Sequence, residues 1–161
     1  MGVDIHVRVI KYDEESRKWK DLPLFRSDKG DIKRVSPYEG RWGELFDILQ
    51  GKEYVDDTYV NFPSYSIDKG SLDKKLRKTI EQYEVFGCYG FAEINLVEME
   101  NYVLKHPKAY DHDADWEEGV QYKENPVKDF FDRIINYIDF ADWTFDWARR
   151  SYYKIIFFFD C

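Results

Sequence analysis

Val3-Asp4-Ile5-His6-Val7-Arg8-Val9 near one end of the chain and Tyr153-Lys154-Ile155-Ile156-Phe157-Phe158-Phe159-Asp160 near the other decide the fold. The first stretch alternates apolar and polar residues, the pattern of a strand buried on one face. The second is an almost unbroken apolar run that stops at an acid, the pattern of a strand buried on both faces. Ile155 to Phe159 cannot all be covered at a sheet edge, and full burial of each such side chain is worth roughly 1.5–3 kcal/mol. The C-terminal strand, Tyr153 to Phe159, is therefore expected at the centre of a sheet. Its natural neighbour is the N-terminal strand, whose Val3, Ile5, Val7 and Val9 would join the same core. Docking the two brings Asp4, His6 and Asp160 to one end of the molecule.

Between these strands the pattern is mixed. Tyr12 to Arg17 is a polar turn, and Lys18-Trp19-Lys20 starts a returning strand, which makes a hairpin. Ser27 to Asp31 reads as a loop. Trp42, Leu45, Phe46 and Leu49 fall at helical spacing, and Gly51 is placed to end that helix. Residues 52–69 carry few periodic cues and read as a long loop. Ser71 can cap a helix bearing Leu72, Leu76, Ile80 and Tyr83. Val85 to Tyr89 and Phe91 to Ile94 are strand candidates. Asn95-Leu96-Val97-Glu98 resembles a capping box, for a helix that ends near His106-Pro107. Residues 108–124 form an acidic loop. Asn125-Pro126 opens the clearest helix, with Val127, Phe130, Phe131, Ile134, Ile138 and Ala141 as its buried stripe. Elements in this order favour an α+β domain spanning 1–161, with a mixed or antiparallel sheet packed by about four helices.

The 161 residues fit one domain and can bury ~70% of the unfolded surface. Aromatic residues make up 19% of the chain, so the core is expected to be built from large rings. The formal net charge of −8 argues against a sequence-independent grip on nucleic acid and against an anionic membrane surface. Two cysteines, Cys88 and Cys161, stand in no paired spacing and read as free thiols of a reduced, cytoplasmic protein. No secretion signal and no membrane-spanning run is expected.

Side chains alternate along a strand, so Asp4, His6 and Arg8 share one face of the first. An Asp–His pair can position an imidazole as general base or ligate a metal. The plain alternative is the solvated face of an amphipathic strand. Asp111-His112-Asp113-Ala114-Asp115 has the alternating acids of a calcium loop. The pattern lacks the glycine that loop needs at its sixth position, where Trp116 stands, and the twelfth-position glutamate, where Tyr122 stands, so a solvated acidic loop is the better reading. No Walker A loop, GxGxxG, GxSxG or HExxH occurs, and Cys88 has no activating neighbour in sequence.

Asp4-Ile5-His6, Gly40-Arg41 followed by Leu45-Phe46, and the terminal Ile156-Phe157-Phe158-Phe159-Asp160 resemble, in order and placement, a family of uncharacterised proteins found in phages, prophages and bacteria. That family opens with Cys-Asp-Ile-His, carries a Gly-Arg-Asn-Tyr-x-Leu-Phe helix start, and closes on a hydrophobic strand ending Phe-Asp-Asn. The resemblance covers under a fifth of the chain and implies a site rather than a reaction: Asp4, His6, Arg41 and Asp160. This chain departs from the pattern at Val3, at Ile10 where the family often has Glu, at Trp42-Gly43, and across Cys88 to Glu93, where no His occurs. The departures favour a scaffold role, in which Arg41 forks onto Asp4 or Asp160 and ties the helix to the sheet.

The functional expectation is a small cytoplasmic, phage- or prophage-related binding protein. It would contact a host protein or a small-molecule ligand, without nucleic acid, membrane or cofactor. The alternative is a hydrolase with Asp4 and His6 as base or metal ligands, Arg41 as anion clamp and Asp160 as third carboxylate.

Overall fold

The structure is a computed structural model. It describes residues 3–38, 40–51, 53–55, 58–60, 62–110, 119 and 122–160, with the backbone alone at 53–55, 58–60 and 110. β1 (Ile5–Asp13), β2 (Lys18–Asp21), β7 (Tyr89–Asn95) and β10 (Tyr153–Phe159) form a four-stranded antiparallel sheet in the order β2-β1-β10-β7. β10 is central and pairs with β1 from Ile5↔Phe159 to Lys11↔Tyr153. The chain is α+β, with both terminal strands inside the sheet as the hydrophobic pattern requires.

The two faces of β10 feed two cores. Ile155, Phe157 and Phe159 join Ile5, Val7 and Val9 beneath α1 (Gly43–Leu49), α3 (Leu96–Lys105) and α4 (Pro126–Ala141). Ile156 and Phe158 join Ile10, Leu72 and the α2 residues Leu76 and Ile80 on the other face (α2, Lys74–Val85). Residues 155–159 are each no more than 2% exposed, so a strand apolar on both faces has found two layers to cover it.

Near β7 the ladder slips between Phe157 and Phe159. Gly90 sits there at φ +70°, and a Cβ added to it would lie 2.4 Å from the Phe159 ring. Only glycine fits so close to that ring in that backbone conformation.

Several local expectations are corrected. Ser71 does not cap α2. Leu72 is drawn into the core beside Trp19, and the helix starts two residues later than expected, with the Asp73 carboxylate accepting from the Leu76 N–H at 2.8 Å. Ser27 to Asp31 is the tip of a hairpin, β3 (Phe25–Asp28) with β4 (Asp31–Arg34). Its two-residue turn, Lys29-Gly30, has φ +51° and +85°, the positive pair that a tight hairpin turn requires. Within 52–69, β5 (Glu53–Val55) pairs with β6 (Thr58–Val60), where Tyr, Val and Thr favour extended backbone. Within 108–124, β8 (Lys108–Tyr110) pairs with β9 (Tyr122–Glu124), and the acidic stretch 111–118 lies outside the described residues. Asn95 caps α3 as expected, accepting from Val97 N–H at 2.8 Å. The Glu98 carboxylate, however, bonds the Tyr65 hydroxyl.

Cys88 is a further correction. It is buried and disulfide-bonded, not a free thiol, so the argument from thiols to a reducing compartment loses its premise. Cys161 lies outside the described residues. Among the described residues no helix is long and apolar enough to cross a membrane.

Candidate functional site

The even positions of β1 face the α2 layer, and their register assigns each a role. His6 lies opposite Phe158, and the two rings stack with centroids 5.2 Å apart and planes 18° apart. Arg8, two residues on, donates to Asp21 Oδ2 of β2 at 3.1 Å and to the Tyr83 hydroxyl of α2 at 3.0 Å. Arg34, at the end of β4, donates to Asp21 Oδ1 at 2.8 Å. Burial works against the Arg34 charge, but the bond to Asp21 outweighs it and raises the guanidinium pKa.

His6, Arg8, Arg34 and Tyr83 line a cleft of about 370 Å³ together with Asp4, Tyr38 and Phe158. Among the described residues one carboxylate, Asp21, serves two guanidiniums, so there one positive charge beside the cleft has no counter-ion of its own. His6 adds an imidazole, able to donate a hydrogen bond, to the same wall. Burial raises the Tyr38 phenol pKa and keeps it a neutral donor.

Asp4 is not available to His6. Its carboxylate accepts from Arg41 Nε at 2.7 Å, and that bond lowers its pKa against the opposing effect of desolvation. No hydrogen bond joins Asp4 to His6 among the described residues, although His6 adds to the field that lowers the Asp4 pKa. Asp160 is tied to Asp4 by backbone: the Asp4 N–H donates to Asp160 Oδ1 at 3.1 Å, and the Asp160 N–H donates to the Asp4 carbonyl at 3.0 Å. Asp160 sits at φ +47°, so the chain turns sharply as β10 ends and brings its carboxylate back to the start of β1.

Of the four residues singled out from sequence, Asp4, Arg41 and Asp160 are joined by hydrogen bonds, whereas His6 stacks on Phe158. Asp4 and His6 line the cleft. Arg41 and Asp160 stand outside its described lining and hold Asp4 in place. Arg41 and Asp4 keep 62% and 44% of their side chains exposed, so the pair is a solvated latch at the sheet corner that adds little to stability. Arg34, Asp21 and Tyr83 were not legible as site residues, because three separate elements deliver them. Arg8 was legible: it follows His6 by two residues on the same strand face.

Among the described residues no group of three or more His, Cys, Asp and Glu side chains is placed to hold a metal ion. A second cleft, of about 380 Å³, lies across the Arg8–Asp21–Arg34 node between β2, the β3–β4 hairpin and α2. Comparison with protein-family models, with curated proteins and with solved structures finds no match to this chain.

Proposed function

We propose that the protein is a binding protein for a small anionic ligand, held in the cleft on the His6 face of the sheet. The observation that carries this reading is the shared carboxylate: among the described residues two arginines converge on the one carboxylate of Asp21, near His6, in a chain whose net charge is −8. An acidic protein that gathers positive charge in a concavity raises the local concentration of anions there. The planar guanidinium of Arg34 suits a carboxylate or phosphate group, and the stacked His6–Phe158 pair offers an aromatic wall for the rest of the ligand. The resemblance of the terminal motifs to those of phage and prophage proteins is what supports a phage-related setting for this role.

A hydrolytic reading with Asp4, His6, Arg41 and Asp160 has less behind it, since the carboxylate that would orient His6 is bonded to Arg41. Thermal unfolding in the presence of inorganic phosphate, pyrophosphate and citrate tests the binding reading. A ligand at about 100 times its Kd adds about 2.7 kcal/mol, which raises the Tm by several degrees. The rise should disappear in Arg34→Gln and in His6→Ala. No rise with any of the three anions, or the same rise in both variants, would refute it.

A further inference from the structure

The net charge of −8 is an average over two unlike surfaces. Residues 17–34 carry seven Lys and Arg against three Asp, and residues 69–78 carry five against one. The fold places these two segments against each other: Lys20, Phe25 and Arg34 from the first and Lys75 from the second line the same 380 Å³ cleft. Lys20 and Arg34 on the hairpin side of this cleft are bonded to Asp13 and Asp21. Lys75 on the other side, and Lys74, Arg77 and Lys78 beside it on α2, form no ion pair among the described residues. The hairpin adds a second feature. Phe25 lies opposite Arg34, and Ser27 opposite Ile32, so Phe25, Ile32 and Arg34 share the face that lines the cleft. Phe25 is 56% exposed and Ile32 is 78% exposed, an apolar platform left open beside arginine and lysine.

We propose that this basic groove between the β3–β4 hairpin and α2 binds single-stranded nucleic acid. Cations spread along both walls track a chain of phosphates, whereas a compact anion needs only two or three of them. A ring that is exposed rather than buried, set between those cations, gives a base its stacking surface. A duplex would keep its bases stacked on one another and leave Phe25 unused. The inference goes beyond the small-anion reading of the neighbouring cleft and does not depend on it.

The test is fluorescence anisotropy of a labelled oligothymidylate of ~12 nucleotides titrated with the full chain. Binding should weaken as salt rises, by a log–log slope of ~0.7 for each phosphate neutralised. Lys75→Glu combined with Lys78→Glu should cost at least tenfold in affinity and make that slope shallower. Phe25→Ala should cost about tenfold and leave the slope unchanged. Lys128→Glu, on α4 across the sheet, should change nothing. Each variant must keep the wild-type Tm, and these substitutions are at exposed positions where it should be kept. Absence of salt-dependent binding, wild-type affinity in the Lys75/Lys78 variant, or an equal loss with Lys128→Glu would overturn the proposal. So would co-sedimentation with phosphatidylserine vesicles without any binding of the oligonucleotide. Arg8 and Arg34 are left untouched, so failure here and failure of the small-anion reading are separate results.

Discussion

His6 stands directly across the β1–β10 ladder from Phe158, and its imidazole stacks on that buried ring. One residue pair thus joins the core beneath α2 to the floor of the cleft. Phe158 also packs against Phe91 at 4.8 Å and Tyr83 at 4.9 Å between ring centroids, so His6 is held by an aromatic stack that includes the Arg8 partner Tyr83.

Phe158→Ala should therefore have two effects. Loss of a fully buried phenyl costs about 3–5 kcal/mol, read from urea unfolding. His6 also loses its support, so anion binding should fall in the variant even at temperatures where it stays folded. A variant destabilised by less than about 1 kcal/mol would mean that the α2 core can collapse around the gap.

Gly90→Ala places a methyl group 2.4 Å from the Phe159 ring in a backbone conformation that disfavours any side chain. Destabilisation by more than about 2 kcal/mol is expected, from strain and from displacement of the ring. Gly30→Ala, also at positive φ but with open space around it, should cost only about 1 kcal/mol. Equal costs for the two would show that the Phe159 contact carries no weight.

Much of this architecture was readable in advance, and the reason is burial. The C-terminal run has one low-energy home, a central strand, and α4 has an Asn cap, a Pro at its first position and an apolar stripe, all of which hold in the structure. Short paired segments were harder. β3 and β4 are exposed along almost their whole length, so no periodic pattern marks them, β5, β6, β8 and β9 are only three residues each, and Lys29-Gly30 is a weaker turn signal than Asn-Gly. The site was half legible. Strand alternation located Asp4, His6 and Arg8. Asp21, Arg34 and Tyr83 come from elements 13 to 75 residues away along the chain, and no local pattern announces them.

Asp142 sets the acid limb of stability. Burial would raise its pKa. Hydrogen bonds from Lys11 Nζ at 2.6 Å, Thr144 Oγ1 at 2.5 Å and Tyr153 Oη at 2.6 Å outweigh that and hold it well below the usual carboxylate range. A depressed folded-state pKa contributes stability that is complete above the unfolded value of ~3.9 and is lost as pH falls toward the folded one. Asp142→Asn should cost about 2–3 kcal/mol at pH 7. The difference from wild type should shrink steadily below about pH 4. Urea unfolding across pH 2–7 checks this, and a pH-independent difference would contradict it.

Removal of residues 155–161 deletes the strand that both cores share. The truncated chain should show no cooperative melt in circular dichroism. A cooperative transition near that of the full chain would mean that β1 and β7 can close the sheet without β10.

The central claim, an anion site at His6, Arg8 and Arg34, is tested most directly by amide and side-chain NMR during titration with inorganic phosphate. Saturable shifts are expected at the His6 imidazole and the Arg8 and Arg34 guanidinium signals, with α4 amides on the far side of the sheet unmoved. Unchanged His6 and Arg34 signals at saturating phosphate, or shifts centred elsewhere, would contradict it.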